Sequence, residues 1–161
     1  MKKRGLFIAL AIIAVIIVVV IILFTVLNKE KEAITANEFS TIMQSKGYTI
    51  IDAKEQFDSY DYIENAYIAT LSSSDYQIEF YEMSNNDYAV SFYNNNKSIF
   101  ESSKGNASGE TSVSMANYSK YTLSTNGMYK VLSRINNTVI YMNVDSEYKD
   151  TVKSILDELG Y

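Results

Sequence analysis

The chain has 161 residues with 14 Lys/Arg, 19 Asp/Glu and no His, Cys, Pro or Trp, so disulfides, thiolate chemistry and Cys- or His-ligated metal sites are all excluded. The three basic residues Lys2, Lys3 and Arg4 stand alone at the start, and every acid comes after residue 29. The chain beyond residue 28 therefore carries 11 basic residues against 19 acids, a net of −8, which disfavours nucleic acid as a partner.

The first element in chain order is an uncharged apolar run from Gly5 to Leu27. Its length matches a hydrocarbon layer of about 30 Å at about 1.5 Å per residue, and it has no polar face to turn to water. The run predicts a transmembrane anchor. It is longer than the core of a secretory signal, and no small-residue cleavage pattern follows it. Lys2, Lys3 and Arg4 before the span, against Lys29 and Lys31 after it, predict an N-terminus inside and a C-terminal domain outside. Residues 1–4 then form a cytoplasmic tail, 5–27 the anchor, 28–34 a linker and 35–161 one extracytoplasmic domain.

Thr35 and Glu38 have the spacing of a capping box. The helix they start carries Phe39, Ile42 and Met43 on one face and ends near Gly47. Tyr48 to Ile51 reads as a short strand, and Lys54 to Glu64 as a helical turn or loop. Ala66 to Leu71 and Asp75 to Met83 predict a hairpin across the three serines 72–74. Ser84 to Asp87 precede an amphipathic helix carrying Tyr88, Ala89, Phe92, Tyr93 and Phe100. The small polar run Lys104 to Glu110 predicts a mobile loop. One or two strands follow within Thr111 to Leu123, then a turn at Asn126-Gly127. Met128 to Ile135 and Thr138 to Val144 predict a hairpin whose two-residue turn is Asn136-Asn137, pairing Ile135 with Thr138. A last helix, capped by Asp145 or Ser146, buries Tyr148, Val152, Ile155, Leu156 and Leu159.

The expected fold class is α+β: an N-terminal transmembrane helix, then one mainly antiparallel sheet of about five to seven strands with amphipathic helices packed on one face. The order hairpin then helix occurs twice and raises an internal duplication as a possibility. In layout and residue usage, rich in Asn, Lys, Ile, Tyr and Ser, the chain resembles small membrane-anchored envelope proteins of low-GC Gram-positive bacteria. That resemblance transfers no functional residue.

Candidate chemistry is sparse. Asp58, Asp61 and Glu64, spaced by three, would form an acidic stripe on a helix, but without an EF-hand framework a solvated face is favoured. Ser146 and Lys149 have the spacing of a Ser–Lys pair where a helix cap is needed, with no companion motif. Glu79 and Glu82, with Asp52, are the remaining acids for glycoside chemistry, yet Glu79 and Glu82 fall on opposite sides of a regular strand. Three sequons, at Asn106, Asn117 and Asn136, carry no weight in an Asn-rich chain. No catalytic, metal or cofactor site is expected.

The 14 Tyr residues are the one unusual feature, since Tyr favours both interfaces and strands. Tyr60, Tyr62, Tyr118 and Tyr121 are the candidate interaction patch. The expected function is a membrane-tethered, extracytoplasmic, non-enzymatic module that meets the lipid bilayer through its anchor and binds a protein or small ligand through its outer face, with a protein of the envelope as the candidate partner. A carboxylate-dependent envelope hydrolase and an accessory subunit recruited through the anchor are the alternatives.

Overall fold

The structure, a computed structural model, describes residues 13–21, 30–115 and 117–161. Residues 13–21 are helical, and the rest of the anchor expected over 5–27 lies outside the described residues. Among the described residues, no helix is long and apolar enough to cross a membrane. A separate compact unit spans Lys31–Tyr161.

That unit is α+β. Helix α1 (Ala36–Ser45) begins with the expected capping box: the Thr35 amide donates to Glu38 Oε2 at 2.8 Å and the Glu38 amide to Thr35 Oγ1 at 3.2 Å. It buries Ala36, Phe39 and Met43 and stops at Gly47, whose φ of +85° lets the Tyr48 amide turn back to Met43 O. Strand β1 (Thr49–Asp52) and a 3-10 turn (Lys54–Phe57) lead to β2 (Ile63–Thr70) and β3 (Gln77–Met83). Helix α2 (Asn86–Ser102) follows, then β4 (Ala107–Ser114), β5 (Tyr118–Thr125), β6 (Met128–Ile135), β7 (Thr138–Asp145) and α3 (Lys149–Glu158). The seven strands form one antiparallel sheet in the order β1-β2-β3-β7-β6-β5-β4.

The β6–β7 hairpin has the register its turn demands, with Ile135 opposite Thr138 and Val131 opposite Met142. Asn136 takes a φ of +49°, and the Asn126-Gly127 turn takes +50° and +79°, the left-handed backbone that favours Asn and Gly in tight hairpins.

Helices on one face were expected, and here the structure differs: they cover both faces. On one side α1 and α3 pack Phe39, Met43, Val152 and Leu156 against Phe80, Val131, Ile140 and Met142. On the other, α2 packs Ala89, Tyr93 and Phe100 against Tyr81, Leu132 and Val139. The reason is written in the central strands. Phe80-Tyr81, Val131-Leu132 and Val139-Ile140 are adjacent large apolar pairs, and adjacent strand residues point to opposite faces, so each pair needs cover on both sides. A flat two-layer fold would leave half of them in water.

The two hairpin-helix units also fail a symmetry test. Antiparallel neighbours β3 and β7 are related by a two-fold axis perpendicular to the sheet, which keeps a helix on its own face. Helices α2 and α3 lie on opposite faces, so no such rotation relates the two units.

Two local expectations need correction. The run 104–110 is not a free loop: β4 starts at Ala107, and Lys104 and Glu110 form an ion pair across it. The final helix has no side-chain cap, because a 3-10 turn (Ser146–Tyr148) precedes α3 and the Ser146 amide donates to Gly127 O at 2.7 Å.

Lys31 fastens the start of the unit. Its amide donates to Asn117 Oδ1 at 3.2 Å, its carbonyl accepts from Asn117 Nδ2 at 2.7 Å, and its Nζ donates to Gly160 O at 2.8 Å. The same ammonium lies 4.2 Å from the centroid of the Tyr118 ring.

Candidate functional site: an aromatic pocket beside helix α2

The four tyrosines expected to form one patch are divided. Tyr118 is 8% exposed and packs with α1 and α3, and Tyr121 is fully buried under α2. Neither can meet a partner from the surface. Strand alternation explains both, because β5 is sandwiched and its inward positions are core on either face.

Tyr60 and Tyr62 stay together and gain a third ring from α2. Three backbone hydrogen bonds place them. The Tyr60 amide donates to Phe57 O at 2.8 Å and the Ile63 amide to Tyr60 O at 3.1 Å, so two turns in succession carry the chain into β2. The Ser84 amide then donates to Tyr62 O at 2.9 Å, tying this segment to the start of α2. There Asn85 caps the helix, its Oδ1 accepting from the Tyr88 amide at 3.0 Å.

The result is two sets of touching rings. Tyr62 stacks on Tyr88 with centroids 4.9 Å apart and an interplanar angle of 15°. Tyr60 meets Tyr62 edge-on at 5.7 Å. Beneath them Phe57 and Phe92 both touch Tyr81, at 5.4 and 4.8 Å, and the Tyr81 hydroxyl donates to Glu79 Oε2 at 2.5 Å. Each aromatic pair contributes about 0.5–1.5 kcal/mol beyond its buried area, so both sets are built rigidly on the sheet. Tyr60 and Tyr88 are nevertheless 48% and 45% exposed.

These rings line an open pocket of about 450 Å³, with Ser91, Asn95 and Asn96 along its α2 wall. Asn96 donates its side-chain amide to Phe92 O at 2.9 Å. Burial, then Tyr60, Asp61 and Tyr88, raise the Tyr62 phenol above its ordinary range, so the ring is neutral at physiological pH. The pocket combines aromatic rings with hydroxyl and amide side chains that can both donate and accept hydrogen bonds.

Comparison with protein families, curated proteins and solved structures gives no match. The site therefore has to be judged on its geometry.

The remaining candidates do not assemble into reactive centres. Asp58, Asp61 and Glu64 share no helix: Asp58 closes the 3-10 turn, Asp61 lies in the following turn and Glu64 in β2. Lys149 reaches away from Ser146, sitting 3.5 Å from Ser124 Oγ and over the Tyr129 ring. Asp52 accepts from the Lys54 amide at 2.9 Å and shapes a turn. Glu82 accepts from Asn65 at 2.9 Å. Glu79 lines a polar pocket of about 460 Å³ together with Asp75, but both its oxygens are engaged, Oε1 by Gln77 at 2.7 Å and Oε2 by Tyr81. Asn117 is committed on both sides of its amide to Lys31.

Sequence reasoning missed Tyr88 as a site residue by placing it on the buried stripe of α2. The observed stripe is Ala89, Tyr93 and Phe100. Tyr88 precedes it by one residue, about 100° around the helix, and so falls beside the core rather than in it.

Proposed function

We propose that this chain is a membrane-tethered, extracytoplasmic, non-enzymatic module that binds a protein partner through the Tyr60–Tyr62–Tyr88 pocket. The observation that carries the reading is Tyr62 in ring contact with both Tyr60 and Tyr88, the latter two about half exposed, in the lining of an open pocket. Exposed, rigidly supported Tyr is favoured at binding surfaces, because it offers large contact area at low entropic cost. Tethering and orientation rest on the apolar run 5–27 and the basic residues before it.

A photoreactive residue placed at Tyr88 in living cells tests the binding role, with one at the exposed Ser72, on the turn at the opposite end of β2, as control. A specific adduct from Tyr88 alone, retained when the anchor is exchanged for an unrelated transmembrane helix, supports the proposal. An adduct lost on the exchange assigns recruitment to the anchor instead. Topology is checked separately with Ser146→Cys, which an impermeant maleimide should label in intact cells; labelling only after lysis refutes the outward orientation.

A further inference from the structure

We infer that the pocket recognises an arginine side chain presented by an extended segment of the partner protein. This rests on the proposed binding role of the same pocket and deepens it to a ligand chemistry. Three observations converge. First, no basic residue lines the pocket, while the exposed carboxylates Asp58, Asp61 and Asp87 are chain neighbours of its rings Phe57, Tyr60, Tyr62 and Tyr88. Only Asp58 has a basic partner among the described residues, Lys54 at 4.0 Å, so the local charge is negative on a domain already at −8. Second, Tyr60 and Tyr88 line the pocket and are 48% and 45% exposed, so aromatic surface is open to a ligand there. A guanidinium stacks on such a surface and is more weakly hydrated than an ammonium, so it leaves water more readily. Third, the lining residues Ser91, Asn95, Asn96 and the tyrosines carry side-chain oxygens, the acceptor type that suits a group with five N–H donors and no acceptor of its own.

The same charges argue against other occupants. An anionic lipid surface or a phosphate-bearing ligand would be repelled by Asp58, Asp61 and Asp87. A second copy of this chain is a poor source, since its arginines are Arg4, in the N-terminal tail, and Arg134, which is 4% exposed.

The test is amide NMR of the nitrogen-15-labelled full chain in neutral detergent micelles, titrated with acetyl-Gly-Arg-Gly-amide and in parallel with its citrulline counterpart, which keeps the planar shape without the charge. Shifts should concentrate at residues 57–63 and 86–96, with the arginine peptide bound at least about fivefold more tightly than the citrulline one. Tyr62→Leu should weaken arginine binding about tenfold, and the exposed Asp61→Asn about threefold. Unchanged amide positions elsewhere show that both variants remain folded.

Equal affinity for the two peptides overturns the cation assignment while leaving the pocket as a binding site. Shifts scattered over the acidic surface and insensitive to Tyr62→Leu, or no shifts at all, overturn it outright. The Tyr88 crosslink then reports independently on the broader proposal: protein adducts retain the pocket as an interface, and adducts to lipid alone reject both readings.

Discussion

Arg134 offers the sharpest energetic test, because it is a charge buried without a counter-charge. It projects from β6 beneath α2 and is 4% exposed. Its Nη1 donates to Asn136 O at 3.0 Å, its Nη2 reaches Ser119 Oγ at 3.4 Å, and its Nε has no hydrogen-bond partner among the described residues. Among the described residues no carboxylate pairs with it. Tyr93 beside it is neutral at pH 7, because burial, with Tyr118, pushes its phenol up to about 12. Arg134→Met keeps the length and volume of the stem and removes the charge. It forfeits one good charge-assisted bond, about 1.5–3 kcal/mol, and a marginal one, against a desolvation penalty of several kcal/mol for an unpaired buried ion. The net expectation is a gain of about 1–2 kcal/mol. Arg134→Ala also deletes the stem and should fall about 2 kcal/mol below the Met variant through the cavity it leaves. Urea unfolding of the full chain in detergent, followed by far-ultraviolet circular dichroism, reads both. A Met variant less stable than the parent by about 1 kcal/mol or more would refute the argument and show that the guanidinium repays its burial.

Phe39→Ala removes a fully buried ring stacked on Phe80 at 4.8 Å and should cost about 3–5 kcal/mol in the same unfolding assay. Asn85→Ala deletes the α2 cap and should cost about 1 kcal/mol; because the cap holds the Tyr88 amide, crosslinking from position 88 should fall as well. Glu38 is held below the ordinary glutamate range, first by the Thr35 backbone amide and then by the Thr35 hydroxyl. Its contribution to stability is therefore present above the unfolded glutamate pKa and lost as the pH falls through its lower folded value. Glu38→Gln should flatten that part of the acid-unfolding curve, and an unchanged slope would deny the capping box its pH dependence.

How much of this was legible in the sequence depended on how local the controlling physics is. The capping box at Thr35, the turns at Asn126-Gly127 and Asn136-Asn137 and the β6–β7 register were readable, because each is fixed by neighbouring side chains and backbone angles. Layering was not. Phe80-Tyr81 and Val139-Ile140 carried the signal that both faces are covered, but alternation elsewhere in β3 suggested a half-exposed sheet. The site divided in the same way. Tyr60 and Tyr62 lie two residues apart, so their proximity was local. Tyr88 joins them through its stack on Tyr62 and the nearby Ser84–Tyr62 hydrogen bond, tertiary contacts that no spacing encodes. Tyr118 and Tyr121 look like their exposed counterparts in composition and differ only in being roofed by helices.

The Lys31 fastening has a mechanical consequence. A pull arriving along the preceding chain is delivered to the turn between β4 and β5 through Asn117, and to the carbonyl of Gly160. Strand β4 is the sheet's outer member on that side, whereas the aromatic pocket is built on β2 and α2 in the opposite half. The hydrogen bonds that would take such a load first therefore lie on the other side of the sheet from the pocket.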